Sequence, residues 1–496
     1  MTTGPRTGAT AIEEFPDVVA DRLRRGARFC ALVATARGDT TRLVAVLSEN
    51  GTLVTEEATV PAGVDYFTSL TGAVPAAAWY EREIRDLFGL EPRGHPRADP
   101  LVFPFPPGAG RPRPGSGVPL GRVEPDPTPL RTHVQGDGVF TIPYGPVRSG
   151  VFEAIEYLVE TPGEDIPHVR TRVSYKHRGV EARFDGLNVD DGVLLAERCE
   201  GVASVAHAAA FCQAVERIAG VEIPDGAARV RVLHAELERV ANHLDSTVRH
   251  TEAAGQAVAY ARFSLHKERV QRLRAQLCGS RFGRGVVIPG GVAGAPELDA
   301  HALGSALDEL ERALLADTEL LMATPSFIDR LRGTGVLTAS IAADYGALGP
   351  VGRASGQMDD GRVTRPYGGY RGLEPRLPER RVEGDALARQ KVRLEEIWAA
   401  FQLIRQCIDR LEVPDRDAWR VPLGRINGEA IGWAEAPQGE VLYLVEVDEG
   451  RLMRTKPRSA SFHNLALFAS AFPKDILTDF AFIEASFGLS VAGVAG

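Results

Sequence analysis

The sequence predicts an α+β chain of two modules, a small N-terminal α/β module and a longer, mainly α-helical one with short flanking β-sheets. Three observations carry this reading. Twelve prolines fall between Pro92 and Pro129; proline lacks a backbone donor and disfavours helix at the residue before it, so 97–136 reads as an extended Pro/Gly-rich connector. Before it, residues 1–96 alternate helical and β-like stretches. After it, residues 137–496 carry five long stretches of helical periodicity. At 496 residues the chain is also too long for one compact core.

In order, Ala11 to Arg25 reads as a helix, and Arg28 to Ala36 and Thr41 to Leu47 as strands. The segment Trp79-Tyr80-Glu81-Arg82-Glu83-Ile84-Arg85-Asp86-Leu87-Phe88-Gly89-Leu90 closes the module as an amphipathic helix, with Ile84, Leu87 and Phe88 on one face. In the second module Gly138 to Arg178 reads as short strands with Pro and Gly punctuation. Helices are predicted over Asp190–Ala219, Ala227–Thr251, Val258–Cys278, Leu298–Met322 and Gly384–Leu411, followed by a β-ribbon over Arg425–Val447.

Composition narrows the function. A net charge of -9 with no strongly basic segment argues against nucleic acid as a partner. The N-terminus lacks the regions of a signal peptide, and no run of about 18 apolar residues would span a bilayer. Five scattered cysteines fit a reducing cytoplasm. None are spaced C-x-x-C, so the usual mark of a zinc or iron-sulfur site is missing. No dinucleotide fingerprint is readable, so NAD chemistry would belong to other subunits.

Trp79 to Leu90, followed by Gly94-His95-Pro96, resembles the C subunit of bacterial NADH-quinone oxidoreductase (complex I), with its E-R-E-x-x-D-L-F-G and G-H-P. From Tyr144 onward the chain resembles the D subunit of complex I and the large subunit of formate-hydrogenlyase-type, energy-converting nickel-iron hydrogenases. The landmarks run in the family's order. They include Tyr175-Lys176-His177-Arg178-Gly179-Val180-Glu181, Glu197 to His207, Glu236-Leu237-Glu238-Arg239, Pro289-Gly290-Gly291-Val292, Gly333-Thr334-Gly335, Gly384-Asp385 with Arg389, and Glu435-Ala436-Pro437 with Gly439-Glu440. The fused C-then-D order is typical of the formate-hydrogenlyase large subunit.

The resemblance implies a hydrogenase-large-subunit-like second domain, and it also exposes departures. The hydrogenase pattern E-R-x-C-G-x-C-S-x-x-H runs in register with Glu197, Arg198, Gly201, Ser204 and His207, but its cysteine positions hold Glu200 and Ala203. Cys199 sits one residue early, about 100° round a helix. The C-terminal cysteine pair corresponds to Ser490 and Gly493, and the arginine of E-A-P-R-G-E to Gln438. Four soft thiolates would hold such a centre, so no nickel-iron centre and no firmly bound metal is expected. The quinone-site histidines of complex I correspond to Arg148 and Phe152, and its tyrosine to Gly201.

A quinone remains compatible if Arg148, Tyr144 or His177 donates to a carbonyl oxygen, with Gln438 also in the old metal pocket. The family's H-R-G-x-E segment makes Glu181, His177 and Arg178 the catalytic candidates. Glu181 would be a buried carboxyl of raised pKa moving protons, or else an i,i+3 ion pair with Arg178. Asp385 and Arg389 read as an i,i+4 pair and His207 as a hydrogen-bonded core residue. The implied protein is a peripheral subunit on the cytoplasmic side of the cell membrane. Its partners would be an iron-sulfur small subunit, which would hold the cluster that supplies electrons, and complex I-like or antiporter-like membrane subunits. A non-catalytic scaffold of the same complex is the alternative.

Overall fold

The computed structural model describes residues 10–103, 134, 136–148, 153–411 and 419–494. Most of the expected connector, 97–136, lies outside them, as does Phe152.

In the first module α1 (Phe15–Arg24) sets its buried Phe15 and Val19 on an antiparallel meander, β1 (Arg28–Arg37), β2 (Thr40–Glu49) and β3 (Thr52–Val60). The last strand is absent from the sequence reading. Glu49 pairs with Thr52 across Asn50-Gly51, both at positive φ (49° and 74°), which is the two-residue Asn-Gly hairpin turn whose twist suits paired strands. A short parallel pair, β4 (Tyr66–Thr68) with β5 (Glu91–Arg93), brackets α2 (Ala78–Phe88). That helix stops where Gly89 turns left-handed.

The second module opens with a sheet of β6 (Phe140–Tyr144), β7 (Glu156–Thr161) and β8 (His168–Arg172), in that order. Then follow α3 (Val180–Phe184), α4 (Val189–Ala196), α5 (Ser204–Ala219), α6 (Asp225–Ala253) and α7 (Ala257–Cys278), and a small pairing of β9 (Val287–Ile288) with β10 (Gly291–Val292). The long α8 (Ala300–Met322) and α13 (Ala386–Asp409) flank four short helices, α9 to α12, at Pro325–Leu331, Ala339–Asp344, Gly349–Arg353 and Gly361–Thr364. The chain closes with β11 (Gly428–Ala436), β12 (Gly439–Asp448), β13 (Arg451–Arg458), α14 (Ala460–Leu465) and α15 (Phe480–Phe487).

The core is built around α6. Its buried Leu237, Val240 and Leu244 pack with Phe263 of α7, Leu307 of α8 and Ile397 and Phe401 of α13. The β11–β12–β13 sheet lies on α5 so closely that a Cβ at Gly432 would stand 2.0 Å from the Ala210 carbonyl oxygen. Only glycine allows that approach.

Three expectations change. The single helix over Asp190–Ala219 is two, because the chain turns at 197–203 and α5 restarts with its Val205 and Ala206 amides capped by the buried Glu238 carboxylate (2.8 and 3.1 Å). The ribbon over Arg425–Val447 gains β13. The Asp385–Arg389 pair does not form: Asp385 caps α13 through the Ala388 amide (2.7 Å), and Arg389 donates to the Gly384 and Gly335 carbonyls and to Ser486.

The modules share a buried, polar boundary. Tyr80 of α2 shares a hydrogen bond with His463 Nδ1 of α14 (2.9 Å), Arg28 of β1 pairs with Glu440 of β12 (3.0 Å), and Glu83 of α2 meets Lys456 of β13 (2.7 Å).

Candidate functional site

The 197–207 segment and the C-terminal 490–494 segment meet. Glu200, 1% exposed, accepts a hydrogen bond from Ser461 Oγ (2.6 Å), and Ser461 Oγ in turn accepts from the Ser490 amide (3.1 Å). A Cβ at Gly493 would lie 2.9 Å from Glu200 Cδ. Glu153 fixes the same tail, accepting from Ser490 Oγ (2.8 Å) and from the Val491 and Ala492 amides (2.7 and 2.9 Å). Positions 200, 490 and 493, separated by almost 300 residues, therefore form one assembly with a carboxylate at its centre.

His207 is the packed core residue the sequence predicts, and its surroundings fix its protonation. The Tyr443 hydroxyl, with one hydrogen, donates to Cys199 Sγ (3.3 Å), so its oxygen accepts from His207 Nδ1 (2.8 Å). Nε2 faces Glu200 Oε2 at 3.2 Å. Both ring nitrogens thus donate and the ring is an imidazolium. Burial opposes that charge, but the nearby Cys199 sulfur and the Glu200 carboxylate outweigh it and raise its pKa to about 9.

Arg178 welds the two segments rather than pairing with Glu181. It donates to the carbonyls of Arg198 (2.9 Å), Cys199 (2.6 Å) and Ala492 (2.7 Å). The reason is local: Gly179 is left-handed (φ 62°), so Arg178 lies outside α3 and the i,i+3 geometry is lost. Neighbouring His177 is half-buried and packs edge-on against Phe103 (5.3 Å); burial lowers its pKa to about 4, which leaves it neutral.

Glu181 departs from the expected raised pKa. It is 4% exposed and meets Lys456 Nζ (2.5 Å) and Arg454 (2.6 Å). Burial alone would raise its pKa, but the two cations lower it to about 2 and hold it ionised. Lys456 also holds Glu83, whose pKa burial raises. Of the two acids, Glu83 is the one poised to take a proton.

The remaining candidates stand apart. Arg148 is committed to a two-pronged pair with Glu484 (2.7 and 2.9 Å), and its guanidinium lies over the rings of Tyr144 (4.9 Å) and Tyr157 (5.1 Å). Tyr144 is 43% exposed. Gln438, in the turn between β11 and β12, is buried with neither amide atom hydrogen-bonded. None of these three lines the cavity that remains between the joined segments. That cavity has a volume of about 20 Å³ and is bounded by Arg178, Cys199, His207, Lys456, Ser459 and Gly493, with Glu83 beside them. It has room for a water or a molecule of two heavy atoms.

Sequence reading passed over Lys456 and Tyr443. Lys456 had a visible signal: Arg454, Lys456 and Arg458 alternate along one strand and are all buried, so they point to one inward face. Tyr443 had none, because its partners lie more than 200 residues away.

Comparison with known proteins follows the same two-module division. Residues 10–114 match the family model of the respiratory-chain NADH dehydrogenase 30 Kd subunit, and residues 254–422 that of the 49 Kd subunit. The carbon monoxide-induced hydrogenase of Rhodospirillum rubrum is 32% identical over 66% of this chain and 90% of its own length. The C/D subunit of the NADH-quinone oxidoreductase of Rhodopseudomonas palustris is 27% identical over 83% of this chain and 79% of its own length. A solved chain of the archaeal membrane-bound sulfane sulfur reductase shares the fold, with a TM-score of 0.68 at 24% identity over 72% of this chain and 99% of that one. The chain therefore belongs to the family that unites the respiratory-chain NADH dehydrogenase 49 Kd subunit with membrane-bound hydrogenases, joined here in one polypeptide to a 30 Kd-subunit module.

Proposed function

We propose that this chain is a peripheral subunit of a membrane-bound respiratory complex, that it takes electrons from an iron-sulfur partner subunit and passes them to a quinone or another acceptor, and that it does so without a nickel-iron centre. The names of its relatives support the setting: NADH-quinone oxidoreductase, formate hydrogenlyase, membrane-bound hydrogenase. Among the described residues no helix is long and apolar enough to cross a membrane, so attachment would run through membrane partners, on the cytoplasmic face in this reading.

One observation carries the chemistry: the Glu200 carboxylate fills the space between the joined segments. A nickel-iron centre calls for four thiolates, and the residues present do not fit it. Cys199 is the single thiol, Ser490 Oγ is spent on Glu153, and a side chain at Gly493 would collide with Glu200. The same crowding bears on the acceptor. An apolar cavity of ~150 Å³ holds a benzene ring, and the one here is about 20 Å³. A quinone ring would therefore meet this chain at a surface shared with a partner, where Tyr144 is exposed beside Arg148 and His177 is half-buried. The scaffold reading draws on that closure too, because a filled interior needs no acceptor.

Purified complex decides between them. The proposal expects no stoichiometric nickel, measurable quinone or viologen reduction, and a lower rate in Arg148→Ala, with Glu181→Gln as the second variant. Equal rates in wild type and both variants would remove the proposed residues. Absence of any acceptor reduction would leave the scaffold, and one nickel per complex would overturn the metal-free reading.

A further inference from the structure

Cys199 sits at the end of a hydrogen-bonded relay that the proposed function does not use. Its Sγ accepts from Tyr443 (3.3 Å), Tyr443 accepts from the His207 imidazolium (2.8 Å), and Glu200 holds the far side of the ring (3.2 Å). Thiol, imidazolium and carboxylate in this order are the elements that activate a sulfur nucleophile. The thiol also borders the cavity of about 20 Å³. Arg178 and Lys456 share that wall, and the Arg178 Nε is buried without a hydrogen-bond partner. The volume takes a water or a molecule of two heavy atoms and excludes anything ring-sized.

We propose that Cys199 is an activated thiol that reacts with small hydroperoxides, of which hydrogen peroxide is the one that fits, making the joined segments the peroxide-sensitive point of this chain. The step balances without any other reactant. Sγ attacks one peroxide oxygen, an S–O bond forms and the O–O bond breaks. Sulfur loses two electrons to the peroxide, and the thiol proton leaves with the departing oxygen as water. The product is a sulfenic acid. The positive charge of His207, passed through the Tyr443 hydroxyl, favours the negative charge that develops on sulfur as its proton departs. This inference does not depend on the acceptor or on the scaffold reading.

The other four cysteines are internal controls. Burial raises the pKa of Cys30 to about 11 and of Cys407 to about 12, and it also raises Cys212 and Cys278. Cys278 is the most exposed of the five, so a reaction governed by access alone would mark it first.

The test treats the full-length chain with hydrogen peroxide, traps sulfenic acid with dimedone and reads each cysteine by peptide mass spectrometry. Cys199 is expected to label at least about tenfold faster than Cys278, and Tyr443→Phe to slow Cys199 alone by about tenfold, the effect of one hydrogen bond at a charged centre. Wild type alone already tests the order of labelling if that variant folds poorly. Equal labelling of all five cysteines, Cys278 reacting first, or an unchanged Cys199 rate in a folded Tyr443→Phe would each overturn the assignment.

Discussion

Replacing Lys456 with methionine tests whether the modules are held together by charge. In the native chain the ammonium lies between Glu83 (2.7 Å to both oxygens) and Glu181 (2.5 Å), all three being nearly buried. Methionine keeps the length and removes the charge. Glu181 retains Arg454 at 2.6 Å, so Glu83 becomes the uncompensated carboxylate. Breaking a buried pair by removing one partner costs about 4 kcal/mol. At roughly 1 °C per kcal/mol for a chain of 496 residues the thermal midpoint should drop by about 4 °C at neutral pH.

The pH dependence gives the sign. Without Lys456 the folded-state pKa of Glu83 rises further above its unfolded value of about 4.3. A group raised in this way contributes stability that is present below its unfolded pKa and lost as pH rises through the folded one. The deficit of Lys456→Met should therefore be small at pH 5 and grow toward pH 8. Adding Glu83→Gln should recover most of it, because the amide is neutral and can donate to Glu181. Scanning fluorimetry of wild type, single and double variants at both pH values provides the assay. A midpoint change under about 1 °C, or one equal at pH 5 and pH 8, would refute the argument.

Three further outcomes follow from the same geometry. His207 has a folded pKa of about 9, above its ordinary 6.5, so its contribution is fully present below pH 6.5 and fades as pH rises through 9; it is at most about 3 kcal/mol at ~1.4 kcal/mol per pH unit, and His207→Gln should flatten the pH–stability curve across that window. Gly493→Ala would press its Cβ to 2.9 Å from Glu200 Cδ and 2.8 Å from Ser459 Oγ, costing about 1–3 kcal/mol that a second change, Glu200→Ala, should partly restore in thermal melts. Gly432→Ala meets backbone instead, 2.0 Å from the Ala210 oxygen, so no side-chain change should rescue it, and soluble yield is the readout.

Local periodicity and turn chemistry account for what the sequence disclosed. The long helices of the second module announce themselves through the 3.6-residue period, and their observed bounds differ by a few residues at most. The third strand of the first module was legible too, through Asn50-Gly51, but its polar residues Thr55, Glu56 and Glu57 mask the alternation. The break at 197–203 was not legible, because the alanine-rich periodicity continues across it and the cap that restarts α5 comes from Glu238, more than 30 residues away. Glu181 fails for the same reason at longer range: the expected raised pKa follows from burial alone, while the cations that lower it stand on β13, 275 residues on in the case of Lys456. The signature residues located the site, and the long-range contacts decided its electrostatics.

The last consequence concerns how the C-terminal tail is held. In the nickel-iron enzymes this chain resembles, two thiolates from each segment meet on one metal, which cross-links them. Here the cross-link is made of hydrogen bonds, and Arg178 is its hub, because among the described residues it alone donates to both Cys199 and Ala492 through a single guanidinium. Glu153 holds the tail at Ser490, Val491 and Ala492, but it does not reach the 197–207 segment in any described contact. Arg178→Ala should therefore release the tail locally without unfolding the α6-centred core. The loss of three charged hydrogen bonds to carbonyls, discounted for water that replaces them, is about 3 kcal/mol. That predicts amide exchange at Val491–Val494 faster by about a hundredfold, at ~1.4 kcal/mol per tenfold, with exchange in α6 unchanged. Arg178→Lys should fall between, since an ammonium lacks the planar fork that spans separated carbonyls. Exchange at 491–494 equal to wild type would mean that Glu200, Ser461 and Glu153 suffice, and the guanidinium would then be free for a role at the cavity it borders.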